Sequence, residues 1–560
     1  MKRPASTDTD IYLVAQIAAA ISIAAFFYYL RRGDLLLFGD AVAHINIARR
    51  VFDSRTPGPL QLGTVWLPLP HLLMLPFLAS RWMWQNGVGG AFPSMLAYVF
   101  SVTGIFRLVR SVLPAFADGR GKAVVRFTAW VAAGIFAVNP NIIYMQTTAM
   151  TEPVYLPFFI WSIVFFAEAL KYCRQVDSAK ANSALVRTGL CLAGACLTRY
   201  DGWFLAVVLS TIALVLAFLR PFAPLRLGVV KMVLIAAVAP VLWLAYNAAV
   251  YRNPLEFANG PYSARAIEQK TAVPGFPPHP GANNLRTSFH YFFKSAQLNM
   301  AGVKTFQREQ GIESSMLQGL WVFGLIFGTV VVVLFQRKLW PVLLLWVPVP
   351  FYMLSIAYSG VPIFIPVWWP FSYYNVRYGV ELLPAFAVLT ALASYGLMRF
   401  VATTRSLLIV GAVAIALPAV SYAHDFRSRT VSYQEAEVNA RTRTALEKQL
   451  ASIFNTFPPN STFLMYIGDH PGAFQDAGIP LSRVINEGNH RPWKRPLDRD
   501  GLWERALANP ATYVDYVVAF DHDAVATQVN KDQLQTMLVL HVSGQPEVTI
   551  YKTVKSNQPR

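Results

Sequence analysis

Long runs of apolar residues dominate the first three quarters of the chain. Each run approaches the length that a helix needs to cross the hydrocarbon core of a bilayer, roughly 17–25 residues, although two are short enough to be tilted or broken. The runs lie near 11–30, 91–111, 124–138, 153–170, 184–198, 203–219, 228–250, 317–335, 339–357, 379–398 and 406–423. The pattern predicts a polytopic α-helical membrane protein with about eleven transmembrane helices.

Basic residues concentrate in every second connection between these runs. They occur within 107–126, 171–187, 220–231, 337–338 and 399–405, whereas the connection 139–152 has none. Cytoplasmic loops of membrane proteins carry the excess of Lys and Arg. The N-terminus is therefore predicted to be cytoplasmic, and the outer side to receive the loops 31–90 and 251–316 and everything after 423. Arg31 and Arg32 depart from the rule, but the five later loops agree with it.

Two segments on the predicted outer side break the transmembrane pattern. The stretch VWLPLPHLLMLPFLASRWMW, at 65–84, is rich in Pro and Trp and is typical of interfacial helices that lie on a membrane. Beyond 424 a polar amphipathic helix precedes five short apolar strands, in STFLMYIG, SRVINEG, DYVVAFD, TMLVLHV and EVTIYKTV. The sequence thus predicts a transmembrane domain, 1–423, and a small α/β extracytoplasmic domain, 424–560.

Composition supports this class and excludes others. The 560 residues are 55% hydrophobic and 14% charged, whereas a soluble domain has roughly 25% charged residues. The formal net charge is +18, but basic residues of membrane proteins collect in cytoplasmic loops, and no nucleic-acid-binding motif is present. Cys173, Cys191 and Cys196 all fall in or beside predicted spans, so the predicted soluble parts have neither a disulfide nor a CxxC metal site.

The stretch FGDAVAHINIARRVFDS, at 38–54, follows the first predicted span and sets polar side chains among apolar ones at helical spacing. Asp40 and His44 are four residues apart and share one helix face, while Asn46, Arg50 and Asp53 lie on another. A solvated amphipathic helix at the membrane surface is the ordinary interpretation of such a pattern. A carboxylate so close to a span is costly unless it has a partner or a task, which makes Asp40 a candidate for chemistry.

Three more polar clusters lie at the outer ends of predicted spans. They are Glu152 in MTEPVYLP, Arg199, Tyr200 and Asp201 in LTRYDG, and Arg377, Tyr378 and Glu381 in NVRYGVELLP. Taken singly, the aromatic residues fit an aromatic belt, and Arg199 with Asp201 fits a local ion pair in a turn. Because all the clusters share one membrane depth, together they predict a polar cavity at the outer leaflet.

These motifs resemble those of the GT-C class of integral-membrane glycosyltransferases, in particular the branch of protein O-mannosyltransferases and lipid A aminoarabinose transferases. The resemblance covers about residues 10–400 as an architecture. It consists of an Asp in the first outer loop, interfacial helices, TEP at the start of a later span, the LTRYDG turn and an Arg-Tyr-x-x-x-x-Pro region. It implies a polyprenyl-phosphate-linked sugar donor, inverting transfer and an acceptor on the outer side. The chain departs from the best-known members in having Asp40 with His44, where many carry paired acidic residues.

The residue types suit this chemistry. A departing phosphate needs cations, and arginine binds phosphate through two parallel hydrogen bonds. The predicted phosphate ligands are Arg199, Arg377 and Arg265, with Arg50 in reserve. The acceptor hydroxyl needs a base, and Asp40 is the predicted catalytic residue. The predicted substrate-binding residues are His44, Asn46, Glu152, Tyr200, Asp201, Tyr262, Tyr378 and Glu381.

No cofactor is predicted. His44 orients Asp40 or, alternatively, holds a divalent metal, but one His beside one Asp is a weak metal signal, so no metal ligand is assigned. The loop 251–316 is far longer than an ordinary connection and is predicted to be a lid, to which Glu256, Tyr262 and Arg265 contribute; a spacer is the alternative. Arg49 and Arg50 are predicted to contact lipid headgroups.

Three other functions stay open on the sequence alone. A transporter or flippase of lipid-linked sugars needs polar groups near the bilayer midplane, where the predicted spans are nearly free of charge. A noncatalytic cell-envelope assembly protein does not need Asp40, and a polysaccharide polymerase or ligase uses a pyrophosphate-linked donor. The predicted partners are the lipid bilayer, the polyprenyl-phosphate sugar and a glycan, lipid or protein acceptor, without nucleic acid, and the predicted location is the bacterial inner membrane.

Overall fold

The fold is known from a computed structural model that describes most of the chain. The described residues are 9–113, 121–272, 274–303, 312–335, 337–401, 403–468, 470–489 and 500–554. Parts of five predicted segments lie outside them: the cytoplasmic N-terminus 1–8, residues 114–120 of the basic connection 107–126, residues 273 and 304–311 of the predicted lid, residue 402 of the basic connection 399–405, and residues 469, 490–499 and 555–560 of the predicted C-terminal domain.

Helices make up most of the described chain. The α-helices are α1 Thr9–Arg32, α2 Gly39–Arg50, α3 Leu69–Leu78, α4 Arg81–Gln85, α5 Val88–Val112, α6 Gly121–Ala137, α7 Pro140–Met145, α8 Thr151–Arg174, α9 Ser178–Cys196, α10 Tyr200–Phe218, α11 Arg226–Tyr251, α12 Glu256–Asn259, α13 Ala264–Thr271, α14 Leu285–Leu298, α15 Ile312–Val330, α16 Pro348–Tyr358, α17 Leu383–Phe400, α18 Thr404–Ser428, α19 Val431–Phe454, α20 Gly472–Ala477, α21 Leu502–Ala508, α22 Pro510–Tyr513 and α23 Ala524–Gln528. Shorter 3₁₀ helices include Arg220–Leu225, Arg337–Trp346, Val376–Leu382 and Glu487–Asn489. The strands are β1 Phe463–Met465, β2 Val484–Ile485, β3 Tyr516–Phe520, β4 Leu534–Leu540 and β5 Val548–Thr553.

The prediction of a polytopic membrane protein is confirmed. Within the described ranges, nine helical stretches are long and apolar enough to cross a membrane: Thr9–Arg32, Val88–Val112, Thr151–Arg174, Tyr200–Phe218, Arg220–Tyr251, Glu313–Phe335, Lys338–Tyr358, Val376–Phe400 and Thr404–Phe454. The other two predicted spans, near 124–138 and 184–198, are helices α6 and α9. Helix α6 has 17 residues, and α9 opens with the polar sequence SAKANS. The apolar part of each helix is therefore shorter than in the nine stretches above.

The chain divides into two compact units, which differ from the two predicted domains. The first unit comprises Met1–Arg31, Pro93–Trp243 and Ala258–Glu435, and the second comprises Arg32–Phe92, Leu244–Phe257 and Ala436–Arg560. The second unit therefore combines the first outer loop with the C-terminal region. A division by composition alone misses this, because the loop and the C-terminal region are far apart in sequence.

The first unit is a bundle of helices around α17. Helix α17 packs against α6, α15 and α18, and α8 packs along α9. Close approach of α15 and α17 depends on a residue without a side chain: a Cβ atom on Gly328 would lie 1.8 Å from the carbonyl oxygen of Leu389. Small residues of this kind let membrane helices approach closely and gain van der Waals contact.

The second unit contains a five-stranded sheet in the order β2-β1-β3-β5-β4. Strand β1 pairs in parallel with β2 and β3, and β5 pairs antiparallel with β3 and β4. Buried residues of the sheet, including Leu464 and Val517, pack with Trp503 and Leu507 of α21. All five predicted strands and the amphipathic helix α19 are present. The stretch 65–84 contains the short helices α3 and α4, of 10 and 5 residues, too short to cross a bilayer.

Candidate active site

In the first unit, the LTRYDG turn between α9 and α10 presents Arg199 to several acidic side chains. The turn is tight because Gly202 has no side chain: a Cβ there would lie 2.4 Å from the backbone carbonyl of Ala195. Arg199 is the N-cap residue of α10 and has an extended backbone conformation. Its Nε atom lies 3.1 Å from Asp201 Oδ2, which fits the local ion pair that the sequence allowed.

Arg199 also pairs with carboxylates that are distant in sequence. Its Nη1 atom lies 3.2 Å from Glu152 Oε1 at the start of α8, and its Nη2 atom lies 3.1 Å from Glu381 Oε1. The hydroxyl of Tyr352 accepts from Arg199 Nη2 at 2.9 Å and donates to Glu381 at 2.8 Å. The guanidinium is therefore held on several sides by fixed oxygen atoms.

Arg377 lies beside Arg199 because both pair with one oxygen of Glu152. The Arg377 Nε atom is 3.3 Å from Glu152 Oε1. Its Nη1 atom donates to Glu435 Oε1 at 2.5 Å, and its backbone N–H donates to Glu435 Oε2 at 2.9 Å. The ring of Tyr378 lies 5.0 Å from the Arg199 guanidinium and 5.1 Å from that of Arg377. The sequence predicted that the two arginines lie close together in space, and they do.

We call these residues the arginine cluster: Arg199, Arg377, Glu152, Asp201, Glu381 and Glu435. All four carboxylates are buried and, if all are ionised, they outnumber the guanidiniums by two. Within the described chain, the Oε2 atoms of Glu152 and Glu381 have no hydrogen-bond partner. An anion that enters the cluster must compete with these carboxylates for the two guanidiniums. The phosphate-binding role of Arg199 and Arg377 therefore stays a prediction, and this geometry opposes it. Tyr200, beside the cluster in sequence, accepts from Trp243 Nε1 at 3.3 Å.

The predicted lid is only partly a loop. Its second half contains helix α14, which packs against α16 and buries Tyr291 and Phe292, so the expectation of a loop is wrong for this part, and the lid stays a prediction. The aromatic run in TSFHYFFKSAQL, read as loop, is an amphipathic helix. Farther upstream, His279 Nε2 lies 2.9 Å from Glu268 Oε1 and ties α13 to the chain that follows it.

Arg265 and Tyr262, the predicted contributors from this loop, lie at the start of α13 and just before it. Arg265 is exposed and Tyr262 partly exposed. Among the described residues, Arg265 forms no ion pair. It is thus the predicted phosphate ligand whose guanidinium is open to an incoming anion. Glu256, at the start of α12, accepts from Asn253 Nδ2 at 3.1 Å.

In the second unit, helix α2 carries the predicted catalytic residue. Asp40 stands in its first turn and is partly exposed. His44, one turn later, is buried, and its Nδ1 atom lies 2.9 Å from Nε2 of His71 on α3. The ring of Trp66 covers His44 at 4.4 Å between ring centroids. Asp40 thus remains accessible while the imidazole behind it is enclosed.

Asn46, a predicted substrate ligand, is buried and occupied by partners within the protein. Its Nδ2 atom donates to the Val42 carbonyl at 2.8 Å and to Gln475 Oε1 at 2.7 Å, and its Oδ1 atom accepts from Trp84 Nε1 at 3.1 Å. Substrate could reach Asn46 only by displacing one of these partners. A role in fixing α2 suits this geometry better.

The expectation that Arg49 and Arg50 contact headgroups is wrong. Arg49 pairs with Asp53 at 2.8 Å, and Arg50 lies 4.0 Å from Glu487; both arginine side chains are largely buried. The guanidinium of Arg49 also lies 5.0 Å from the ring of Trp84. The first outer loop encloses Arg49, and the C-terminal region contacts Arg50, which the sequence of α2 cannot show.

Three residues of these sites escaped the sequence reasoning: Tyr352, Glu435 and His71. Tyr352 and His71 lie in apolar stretches, where a single polar residue is common and does not indicate a site. Glu435 lies in the polar helix α19, where an acidic residue is equally common. Neither pattern distinguishes a partner in the site from a residue of the core or surface. Within the described chain, no group of three or more His, Cys, Asp or Glu side chains is arranged to hold a metal ion.

Solved structures share this fold along nearly the whole chain. ArnT from Cupriavidus metallidurans bound to undecaprenyl phosphate matches with a TM-score of 0.54 at 13% identity, covering 97% of this chain and 99% of that one. Its apo state matches with 0.53 at 13%, covering 97% and 98%. The Archaeoglobus fulgidus oligosaccharyltransferase tethered with an acceptor peptide gives 0.43 at 12%, covering 99% and 75%. No protein-family model and no curated protein matches the sequence. ArnT is a lipid A aminoarabinose transferase of the GT-C class, so the predicted resemblance is confirmed for the fold.

Proposed function

We propose that this integral membrane protein is a glycosyltransferase that moves a sugar from a polyprenyl-phosphate-linked donor to an acceptor hydroxyl on the extracytoplasmic side. The observation that carries the proposal is the likeness in fold to ArnT bound to undecaprenyl phosphate, which extends over 97% of this chain and 99% of that one. The partly exposed carboxylate of Asp40, at the start of the helix after the first span, supplies a group of the required chemistry.

In the proposed reaction, Asp40 accepts the proton of the acceptor hydroxyl while the hydroxyl oxygen bonds to the anomeric carbon of the sugar. The bond from that carbon to the phosphate oxygen breaks, and polyprenyl phosphate leaves with the bonding electron pair. Direct displacement inverts the anomeric centre and needs one base, without a second carboxylate as nucleophile. A positioned base contributes about 10²–10⁴-fold to such a rate.

For the donor phosphate, we assign Arg265 as the first ligand. Its side chain is exposed, whereas Arg199 and Arg377 already contact the carboxylates of the arginine cluster. Those two arginines bind phosphate only after a carboxylate moves away or takes up a proton. Until then, their cluster supports the fold around the span ends.

The proposed orientation places the N-terminus in the cytoplasm of a bacterial cell and the C-terminal region outside the inner membrane. We expect impermeant thiol reagents, applied to intact spheroplasts, to label a cysteine at the exposed position Gln535 and to miss one at the exposed position Ala179. Both cysteines are introduced after Cys173, Cys191 and Cys196 have been replaced by Ser. The reverse labelling pattern would overturn the assignment of the outer side.

The activity test uses the purified full chain in liposomes with a panel of radiolabelled polyprenyl-phosphate and polyprenyl-pyrophosphate sugars and membrane extract as acceptor. Release of polyprenyl phosphate together with a labelled acceptor supports the proposal, provided that D40N releases much less. Movement of intact donor across the liposome membrane without release would instead identify a flippase. Transfer only from pyrophosphate-linked donors would identify a polymerase or ligase.

A further inference from the structure

One connection in the first unit has an unusual composition. Residues 359–375 join two of the spans and include three prolines and no charged residue. Backbone hydrogen bonds between Phe364 and Tyr374 close this connection as an antiparallel bridge. We call residues 364–374 the aromatic hairpin. Connections that face water are ordinarily polar, so an uncharged connection between two spans indicates different surroundings.

Four large aromatic side chains of the aromatic hairpin are exposed. Trp368 is 37% exposed, Trp369 44%, Phe371 51% and Tyr374 45%. The burial of apolar surface is favourable, and a concentration of it on the outside of a protein marks an interaction surface. The aromatic hairpin therefore presents such a surface.

The backbone of the aromatic hairpin suits an apolar environment, in which an unpaired N–H or C=O group is costly. The Phe364 N–H donates to the Tyr374 carbonyl at 2.9 Å, and the Tyr374 N–H donates to the Phe364 carbonyl at 3.1 Å. The Phe371 N–H donates to the Trp368 carbonyl at 2.6 Å. Because proline has no N–H, the prolines of this segment leave fewer donors to be paired.

Side-chain contacts hold the aromatic hairpin in place. The hydroxyl of Tyr291 on α14 donates to the Trp369 carbonyl at 2.7 Å, and the Tyr291 ring meets the Trp368 ring edge to face at 5.3 Å between centroids. Nearer the spans, Asn375 Nδ2 donates to the Pro362 carbonyl at 2.9 Å. A fixed segment thus presents the exposed rings.

We propose that the aromatic hairpin inserts its exposed rings into the headgroup region of the bilayer on the outer side. It connects the spans Lys338–Tyr358 and Val376–Phe400, so it lies where these helices leave the membrane. The basic connections 337–338 and 399–405 lie at the other ends of the same two spans, which assigns the hairpin to the predicted outer side. Trp and Tyr favour this interface because their rings are apolar while their N–H and O–H groups stay hydrated.

A sugar is the other ligand that stacks on exposed aromatic rings. Sites for such ligands add precisely placed polar groups that fix the orientation of the ligand. In the aromatic hairpin, hydroxyl groups occur only on Ser372, Tyr373 and Tyr374, and amide, acidic and basic side chains do not occur. The Tyr373 hydroxyl already donates to Gln434 Oε1 at 2.6 Å. This composition fits a bilayer interface better than a sugar.

Insertion of the aromatic hairpin also sets the depth of the proposed phosphate ligand. Gly360, just before the hairpin, packs against the start of α13: a Cβ atom there would lie 2.6 Å from Glu268 Oε2 and 3.1 Å from Arg265 Cα. With the rings in the headgroup region, Arg265 is held near the surface at which a lipid-borne phosphate lies. This consequence rests on the proposed function, whereas the insertion itself does not.

Insertion is tested by the surroundings of a probe on the aromatic hairpin. The full chain, with Cys173, Cys191 and Cys196 replaced by Ser, carries F371C labelled with the fluorophore NBD and is placed in liposomes. We expect blue-shifted emission, strong quenching by spin-labelled phospholipid and little quenching by aqueous iodide. The control is Q535C, which places the probe at an exposed polar position of β4 and should show the reverse pattern.

Two results would overturn the insertion. One is quenching of the F371C probe by iodide as strong as in the control, without quenching by the spin-labelled lipid. The other is shielding of that probe from iodide only when a soluble oligosaccharide is added, which would identify a sugar-binding segment. Thermal unfolding of the labelled protein shows that the chain is folded during the measurement.

Kinetics then test the link to Arg265. W369S/F371S removes two exposed rings, so Tm should stay close to that of the wild type, while the KM for donor rises by less than in R265Q. In the R265Q background the same two changes should add little to KM, because they act through Arg265. The control V176S removes an 87% exposed valine from a turn of the same unit and should leave KM unchanged.

An unchanged KM in W369S/F371S, or equal increases in KM with and without R265Q, would contradict the link between the aromatic hairpin and Arg265. A wild type that transfers no sugar would overturn the proposed function. Quenching of the F371C probe would still decide the insertion, because it needs neither donor nor acceptor.

Discussion

The arginine cluster and helix α2 both place charged residues after apolar runs, but they use the charges differently. In the cluster, four buried carboxylates surround two guanidiniums, and each contact lies at hydrogen-bonding distance. On α2, the imidazole of His44 is buried while Asp40 remains partly exposed. The comparison teaches that a dense set of charges marks a fixed framework, whereas an accessible carboxylate is where a substrate proton can be taken.

The largest effect is expected for Asp40→Asn. The amide keeps the size of the side chain but cannot act as a base, so turnover should fall ~10²–10⁴-fold, while donor binding changes little. Single-turnover release of polyprenyl phosphate measures the rate, and equilibrium binding of labelled donor measures affinity. The control D521N alters an exposed aspartate of the same unit. Near-normal turnover of purified D40N would remove the contrast between the two regions.

The next effect concerns Arg377→Leu. Removing one guanidinium leaves Glu152 and Glu435 buried without their cation, and breaking a buried ion pair from one side costs about 3–5 kcal/mol. We expect the free energy of unfolding to fall by that amount, measured by denaturant titration in detergent. The double variant R377L/E435L should lose less than the sum of the two single losses, because the coupled partner is removed as well. Additive losses would show that the two side chains do not act as a pair.

A smaller effect is expected for Arg265→Gln. If the exposed guanidinium binds the donor phosphate, its loss removes a charge-assisted contact of about 1.5–3 kcal/mol, so the KM for donor should rise ~10-fold or more while Tm stays unchanged. R286Q, which replaces another exposed arginine of the same unit, serves as the control. A normal KM in R265Q, with a raised KM in R199K, would return the phosphate to the arginine cluster.

The smallest effect concerns His470, which stacks on Phe520 at 4.5 Å between ring centroids. Burial, with a contribution from Arg443, lowers the pKa of His470 from 6.5 to about 4. The unfolded chain therefore binds a proton first as the pH falls, so the contribution of this residue to stability is complete above pH 6.5 and is lost towards pH 4. Tm of the wild type should fall more than Tm of H470F between pH 7.5 and 5. Parallel curves for the two proteins would show that His470 does not titrate in this way.

Local patterns in the sequence determined most of the fold. Nine of the eleven predicted apolar runs form helices long enough to span a membrane in the described chain, and the five strands predicted after 424 are present, because hydrophobic burial acts on each segment through its own residues. Reliance on local composition also explains why helix α14 was not predicted. Its aromatic residues lie in a long stretch rich in Pro, Gly and Asn, and that composition favours a loop over a helix.

Only the tertiary structure decided which side chains meet. Arg377 and Glu435 are 58 positions apart, Arg199 and Tyr352 are 153 apart, and His44 meets His71 from a different helix. The sequence named most of the charged residues, since charge after an apolar run is visible locally. It could not assign partners, because burial and pairing depend on how distant helices pack, and these decide whether an arginine is held by carboxylates or left open to a phosphate.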